Sequence, residues 1–242
     1  MGYDVEAILH GLADGDGAVR LSAAYALEEA LKEELEQGRT DWAELSSAVL
    51  PALMMGIGDR EKGVQVHSAN CLQFLSYQSP AVLPALREAM AGSDRWRAWG
   101  AALVGARLGL WCDEMGPALE AAMGAADRDV RWAAAGLCLQ LGRTYPEAVA
   151  TVKAALAGEN PLGRKMAAYC LGAMGQYAPV EAELAAQLSD PDRDVRRAVV
   201  LGLDKLPSVT GATRQAVEAL RADPDEYVRR TAAAVAAKLT SR

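Results

Sequence analysis

The chain has 242 residues, of which 51% are hydrophobic but only 5% are aromatic, with a single phenylalanine. An alanine-rich, aromatic-poor composition favours closely packed helices over β-sheet, because sheets draw on β-branched and aromatic side chains. The formal charge of −7 argues against non-specific nucleic-acid binding, which depends on neutralising phosphates. The acidic excess lies in residues 1–119, with nine Lys and Arg against 17 Asp and Glu, whereas residues 120–242 carry 16 against 15.

The first residues, MGYDVEAILHGLADGDG, lack the basic and apolar regions of a signal peptide. No stretch approaches 18 consecutive apolar residues, so we expect no transmembrane helix. From these features we expect a cytoplasmic protein without a membrane partner.

Taken in chain order, the sequence repeats a pattern in which acidic turn residues precede Val-Arg and a run of small residues. The clearest copies read DGDGAVRLSAAYAL, GAADRDVRWAAAGLCLQLG, LSDPDRDVRRAVVLGL and RADPDEYVRRTAAAVAAKL. The arginine or its equivalent stands at Arg20, Gln65, Arg97, Arg131, Arg164, Arg196 and Arg229. The intervals are 45, 32, 34, 33, 32 and 33 residues, and such a period indicates stacked helical repeats.

Helix-capping residues stand four positions before each arginine equivalent: Asp16, Glu61, Ser93, Asp127, Asn160, Asp192 and Asp225. Six of the seven are good N-cap types, whose side-chain oxygens accept bonds from the free N–H groups of a first helical turn. The pattern therefore predicts a helix B in each repeat, beginning near Gly17, Lys62, Asp94, Arg128, Pro161, Arg193 and Glu226. The segment before each helix B predicts a helix A with apolar residues at helical spacing, the first covering residues 3–13.

These residues resemble the HEAT repeats, specifically the short bacterial type found in phycobilisome bilin lyases. The resemblance covers essentially the whole chain and implies an all-α fold: a right-handed α-solenoid, or superhelix, of about seven helix pairs in a single domain, residues 1–242. It also implies a ladder of contacts between an Asp in each turn and the Arg of helix B. Asp14, Asp59, Asp190 and Asp223 match the turn position, whereas Ala91, Ala125 and Gly158 do not, so we expect the ladder to be interrupted in the middle.

The interval of 45 residues marks an irregularity between the first two repeats. The segment ALEEALKEELEQGRTDW extends the first helix B by roughly two turns and adds a short loop. Glu28 and Lys32 form an i,i+4 pair there, which favours a solvated helix surface.

Sequence motifs for catalysis are missing, and we expect no enzymatic activity. The two histidines, His10 and His67, fall on different elements and neither has a metal-binding spacing or the His-Glu pairing of iron-binding HEAT proteins such as deoxyhypusine hydroxylase. No nucleophile elbow or phosphate-binding loop is present. Of the four cysteines, Cys71, Cys138 and Cys170 lie in apolar helical stretches and none forms a CxxC pair, so we expect free, buried thiols and neither a metal nor another cofactor.

Four tryptophans lie close together in this aromatic-poor chain: Trp96, Trp99, Trp111 and Trp132. We expect Trp96, which replaces the valine of the repeat, and Trp99 to pack in the interior, although the sequence leaves open whether they belong to a site. Trp132 follows its arginine by one position, in a row that should be solvated, and an exposed tryptophan is a common binding anchor.

The same row is basic in the last three repeats. Lys165, Arg197 and Arg230 occupy the position of Trp132, and Tyr169 and Tyr25 share a second position one helical turn further on. Stacking of the repeats aligns each row, and helical residues four apart are neighbours. Because the B helices usually line the concave surface of such solenoids, these six residues predict an aromatic and cationic binding strip there. A solvated helix face, with nearby Asp and Glu compensating the cations, is the alternative.

The function we expect is that of a protein-interaction scaffold or adaptor that binds a protein or peptide, acidic or amphipathic, on this face. An alternative is a HEAT-like DNA glycosylase or other nucleic-acid-binding repeat protein, for which Trp111 and Asp113 have suitable side chains. The acidic first half disfavours that alternative. A bilin lyase-like chaperone is a third reading and depends on the resemblance alone.

Overall fold

The computed structural model describes residues 4–38 and 42–240. Within them the chain forms fourteen α-helices and one 3₁₀ turn, with no β-strand. The A helices are α1 (Val5–Leu12), α3 (Ala43–Gly56), α5 (Val82–Ala91), α7 (Met115–Met123), α9 (Pro146–Ala157), α11 (Glu181–Ala186) and α13 (Gly211–Ala219). The B helices are α2 (Gly17–Glu36), α4 (Lys62–Ser76), α6 (Arg95–Arg107), α8 (Arg128–Leu141), α10 (Pro161–Met174), α12 (Arg193–Asp204) and α14 (Glu226–Thr240). The chain is thus an α-solenoid, as the repeat pattern predicts; residue 3 of the predicted first helix lies outside the described residues.

Six of the seven B helices begin at the predicted residue. The exception is α6, which begins at Arg95 because Asp94, and not Ser93, provides the cap. The Asp94 carboxylate accepts the N–H groups of Trp96 at 3.1 Å and Arg97 at 3.2 Å. A carboxylate is the stronger acceptor for these N–H groups, so the helix starts one residue later relative to its arginine.

The predicted extension of the first helix B is present, since α2 has 20 residues. The expectation of a solvated surface there is wrong for Glu28, which is only 5% exposed. Its carboxylate binds Lys32 at 2.8 Å, but also accepts from Asn70 at 2.9 Å and lies 2.6 Å from Nδ1 of His67, both on α4. The pair Glu28/Lys32 therefore belongs to a contact between two repeats.

The Asp–Arg ladder forms as the family resemblance implies. In each rung the guanidinium of one helix B donates to the Asp in the turn of the following repeat. The rungs are Arg20–Asp59 at 2.6 Å, Arg164–Asp190 at 2.7 Å and Arg196–Asp223 at 2.8 Å. Arg131 donates to the carbonyl oxygens of Ala125 and Ala126 in its own turn, as the rung arginines do in theirs. The turn that follows Arg131 has Gly158 where a rung needs Asp, so the ladder is interrupted in the middle, as expected.

The chain divides into two compact units, Met1–Ala118 and Leu119–Arg242. In the first unit, α2 packs on α4 and α4 on α6; in the second, α10 packs on α8 and α12, and α12 on α14. The contacts between B helices are lined by small residues, and Ala134, Ala168 and Val199 are fully buried, as we expected. A single domain over residues 1–242 stays a prediction.

Candidate functional site

The centre of the candidate site is a pair of stacked aromatic rings in the second unit. Asp127 and Asn160 cap α8 and α10 with their side-chain oxygens and so fix where each helix begins. Trp132 then lies in the second turn of α8 and is 51% exposed, which confirms the predicted solvated position. Its ring stacks on the half-buried ring of Tyr169 from α10, with centroids 6.1 Å apart and planes 22° from parallel. Two residues predicted from separate repeats therefore form one aromatic surface.

Open space lies beside this pair. Gly136 stands one helical turn after Trp132 on α8 and is exposed. A Cβ atom added at Gly136 would meet no atom within 4 Å. The position is the repeat equivalent of Tyr169, so this row of side chains has a gap next to Trp132, which is called the notch below.

The basic row of the site is partly compensated by carboxylates. Nζ of Lys165 lies 3.3 Å from Asp194 on the next helix B, and Arg230 pairs with Glu226 one turn earlier on α14. Arg197, on α12 between them, is exposed and makes no ion pair with any described residue. The compensation foreseen as the alternative is thus present at two of the three cations, and Arg197 is the cation that a partner's carboxylate could bind without displacing another.

Sequence reasoning missed two exposed apolar side chains on the same helices. Leu162 precedes Lys165 by three residues, Tyr227 precedes Arg230 by three, and both are exposed. Helical residues three apart share a face, so Leu162 and Tyr227 extend the strip by a third row. Comparing the residue two positions before each repeat arginine would have found both.

Tyr25, the remaining predicted site residue, lies in the first unit. It is exposed, and its ring meets His67 edge to face with centroids 5.3 Å apart. Burial alone would raise the pKa of the adjacent Glu28 carboxylate, but hydrogen bonds from Lys32, His67 and Asn70 outweigh it and hold that pKa below its ordinary value. The surroundings of Tyr25 are therefore polar and already bonded, in contrast to those of Trp132.

The other tryptophans differ in exposure. Trp99 is buried, as expected, but the expectation of an interior Trp96 is wrong, since it is 42% exposed. The late start of α6 puts Trp96 at the second helical position, which Leu162 and Tyr227 occupy, also exposed, in α10 and α14. Trp111 is half-buried against an apolar cavity, and the neighbouring Asp113 is exposed.

A shallow groove of about 620 Å³ lies beside α11 in the second unit and is lined by residues of α9, α11 and α13. Its polar groups bind one another: Lys153 pairs with Glu183, and the Glu181 carboxylate accepts from the hydroxyls of Thr210 at 2.8 Å and Thr213 at 2.6 Å. These hydrogen bonds hold the pKa of Glu181 low against the opposing effect of its burial. The groove therefore offers few free polar groups to a ligand.

Two other kinds of site are absent from the described part of the chain. No three His, Cys, Asp or Glu side chains converge there in a way that could hold a metal ion. None of the helices described above is both long enough and apolar enough to cross a membrane.

Comparison with known proteins supports the repeat assignment. Residues 116–203 match the family model for HEAT repeats, while no curated protein sequence matches the chain. The solved MAST/Orbit N-terminal domain is 15% identical with a TM-score of 0.52, over 100% of this chain and 98% of that one. Cex1p is 15% identical with a TM-score of 0.54; the match covers 98% of this chain but 52% of Cex1p. Human deoxyhypusine hydroxylase is 19% identical with a TM-score of 0.41, over 98% and 96% of the two chains. At such identities the similarity concerns the fold alone.

Proposed function

We propose that this α-solenoid, of which residues 116–203 match the family model for HEAT repeats, is an interaction scaffold without catalytic activity. Its partner is a protein segment that binds the B-helix face of the second unit, which the repeat pattern leads us to expect to be concave. The observation that supports this most directly is the exposed Trp132 stacked on Tyr169. Large, rigid aromatic side chains that face solvent are typical anchors of protein interfaces.

The charges of the strip favour an acidic partner with one apolar anchor. An apolar or aromatic side chain of the partner enters the notch at Gly136 and covers the ring of Trp132. Its carboxylates then meet the row of cations, first of all the unpaired Arg197. Electrostatic attraction of this kind mainly raises the association rate, while the buried aromatic contact slows dissociation.

The spacing of the helices suggests the conformation of the bound segment. Packed helices are about 8–10 Å apart, and each contributes one cation to the row. A polyproline II segment rises about 3.1 Å per residue with three residues per turn, so that every third side chain returns to one face after about 9 Å. A bound helix would need a continuous apolar stripe, which this strip offers only at its aromatic end. We therefore expect acidic residues at every third position, following the anchor.

Synthetic peptides test the proposal. One peptide carries a Trp anchor followed by Glu at every third position, and its control has the same composition with Glu at alternate positions. We expect Trp132→Ala to weaken binding of the first peptide by 1–2 kcal/mol, about 5–30-fold, as the removal of an interface anchor does. Trp96→Ala is the matched control, because it removes an exposed tryptophan of the first unit, and it should leave the affinity unchanged.

The role of charge is tested separately with Arg197→Glu. We expect slower association and a weaker dependence of the association rate on salt, with no loss of folded structure, because the side chain is exposed. Affinities that are equal for wild type, Trp132→Ala and Arg197→Glu would show that this face is only solvated helix surface. Stronger retention of a nucleic acid than of either peptide would favour the alternative class of function.

A further inference from the structure

A sulfur-rich cavity lies in the first unit. It encloses about 270 Å³ between α5, α6 and the loop of residues 108–114 that leads into α7. Three sulfur-containing side chains line it, each from a different element: Met90 from α5, Cys112 from the loop and Met115 from the start of α7. The rest of the wall is apolar, with Leu86 beneath and the exposed Leu83 and Leu110 at the rim.

Two of the sulfur atoms meet at one point of the cavity. Sγ of Cys112 lies 3.9 Å from Sδ of Met90. Both methionine side chains end at Gly105 of α6, where an added Cβ would lie 2.7 Å from Cε of Met115 and 3.5 Å from Cε of Met90. The lack of a side chain at Gly105 therefore leaves room for the methyl ends of both methionines, and a larger residue would displace them.

The backbone of the loop presents Cys112 to this point. Gly109 has a φ of +69°, a left-handed conformation that glycine adopts without strain. The N–H of Gly109 donates to the carbonyl of Ala106 and that of Leu110 to the carbonyl of Gly105, both at 3.0 Å, which closes the C-terminus of α6. The chain then turns back over the helix end. Cys112 becomes half-buried, unlike Cys71, Cys138 and Cys170, which are buried in helices.

The charged groups at the mouth are already paired with each other. Arg87 of α5 binds the Glu114 carboxylate through Nε and one terminal nitrogen, at 3.2 and 2.9 Å. The side of the cavity formed by α6 contributes Gly105 and no charge, so an ion inside would meet sulfur and one neutral ion pair.

We propose that this cavity binds one Cu(I) ion through the Cys112 thiolate and the thioethers of Met90 and Met115. Thiolate and thioether ligands select Cu(I) over harder ions, and His, Asp and Glu are not required. With metal–sulfur bonds of about 2.3 Å, two ligands of a trigonal ion are about 4 Å apart, close to the separation of the Met90 and Cys112 sulfurs. On binding, the S–H bond of Cys112 breaks, the sulfur electron pair forms the Cu–S bond, and the proton passes to solvent. No change of oxidation state is involved.

The test is anaerobic competition between the full chain and a chromogenic Cu(I) chelator, with X-ray absorption of the loaded protein. We expect one ion per chain in a shell of three sulfur atoms. Cys112→Ser should abolish binding. Met90→Leu, which keeps the volume, should weaken it tenfold or more, whereas Met55→Leu changes an exposed methionine outside the cavity and should have no effect.

Circular dichroism of each apoprotein separates loss of the site from loss of the fold. If Cys112→Ser does not fold, the affinity of Met90→Leu for Cu(I) decides the test instead. Failure of the wild-type chain to compete for Cu(I) would overturn the proposal. So would full retention of binding in folded Cys112→Ser, or equal affinities of wild type, Met90→Leu and Met115→Leu.

Discussion

Individual side chains in this protein act mainly by joining one repeat to the next. The rung Arg196–Asp223 is an example, because both side chains are almost fully buried and the Asp223 carboxylate also accepts the N–H of Asp225 at 2.8 Å. Glu28 on α2 has the same role in the first unit, where its carboxylate contacts two residues of α4. Such buried, bidentate contacts are stronger than ion pairs at the surface.

Asp223 leads to a prediction about pH. The Arg196 guanidinium donates to its carboxylate and holds the pKa of Asp223 below its ordinary value. A carboxylate with a lowered folded pKa stabilises the fold fully above its unfolded pKa of about 3.9, and the stabilisation is lost as pH falls through the folded pKa. We expect Asp223→Asn to lower the free energy of unfolding by roughly 2–3 kcal/mol at pH 7.

Urea unfolding at a series of pH values measures this effect. The deficit of Asp223→Asn should shrink below about pH 4, where the carboxylate in the unfolded wild-type chain begins to take up a proton, and vanish below the lower pKa of the folded state. Glu33→Gln is the control, because Glu33 is exposed on α2 and its replacement should change little at any pH. A deficit of the same size at pH 7 and pH 3 would mean that charge is not what stabilises the rung.

At the scale of the helices, glycines set how closely the B helices approach. A Cβ added at Gly172 of α10 would lie 2.5 Å from Cα of Gly202 on α12, and one added at Gly202 would lie 2.8 Å from the carbonyl oxygen of Ala168. These are contacts with backbone, which cannot move aside as a flexible side chain can. The two helices therefore touch through their main chains.

Replacing Gly172 by alanine should destabilise the protein by about 1–3 kcal/mol through overpacking, although alanine favours helix. Gly136→Ala makes the same chemical change in α8 where the space is open, and it should stabilise by about 0.5–1 kcal/mol. Urea unfolding of the two variants compares them directly. Changes of the same sign in both would contradict the close approach of α10 and α12.

The start of each helix B could be predicted because a cap is a local signal: a side-chain oxygen two or three residues before the N–H it accepts. The predicted start of α6 is one residue too early because Ser93 and Asp94 are both possible caps and Asp94 is the one used. The prediction that Trp96 is buried is wrong for the same reason. The partners of Glu28, 39 and 42 residues away, could not be predicted from the helical period. The rows containing Trp132 and Tyr169 followed from the period, but their stacking and the notch at Gly136 depend on how two helices pack. The sulfur cavity has no sequence motif, since methionine is common in apolar cores.

For the whole molecule, the division into two compact units coincides with the change in charge. Met1–Ala118 contains the acidic excess, and Leu119–Arg242 is close to neutral and contains the aromatic pair. Solenoid repeats are stabilised by their nearest neighbours, so the coupling across this division decides whether the chain unfolds in one step or two.

The tryptophans allow this coupling to be measured. Four of the five lie in the first unit, so in Trp132→Phe all tryptophan fluorescence, excited selectively over tyrosine, reports on that unit while circular dichroism reports on every helix. We expect the two urea transitions to coincide, because each repeat needs its neighbours to bury its faces. A fluorescence transition at a different urea concentration would show that the two units unfold separately and that the single domain predicted from the sequence is wrong.

The ladder also has a consequence for how such a chain can change in length. Every rung takes its arginine from one repeat and its aspartate from the next, so no repeat contains a rung of its own. Deletion of one whole period, residues 165–196, would leave Arg164 followed by the turn that contains Asp223, and the rung would form again with a new partner. Duplication of the period would add one rung in the same way. Repeats can therefore be gained or lost in whole units during evolution without compensating mutations at the junction.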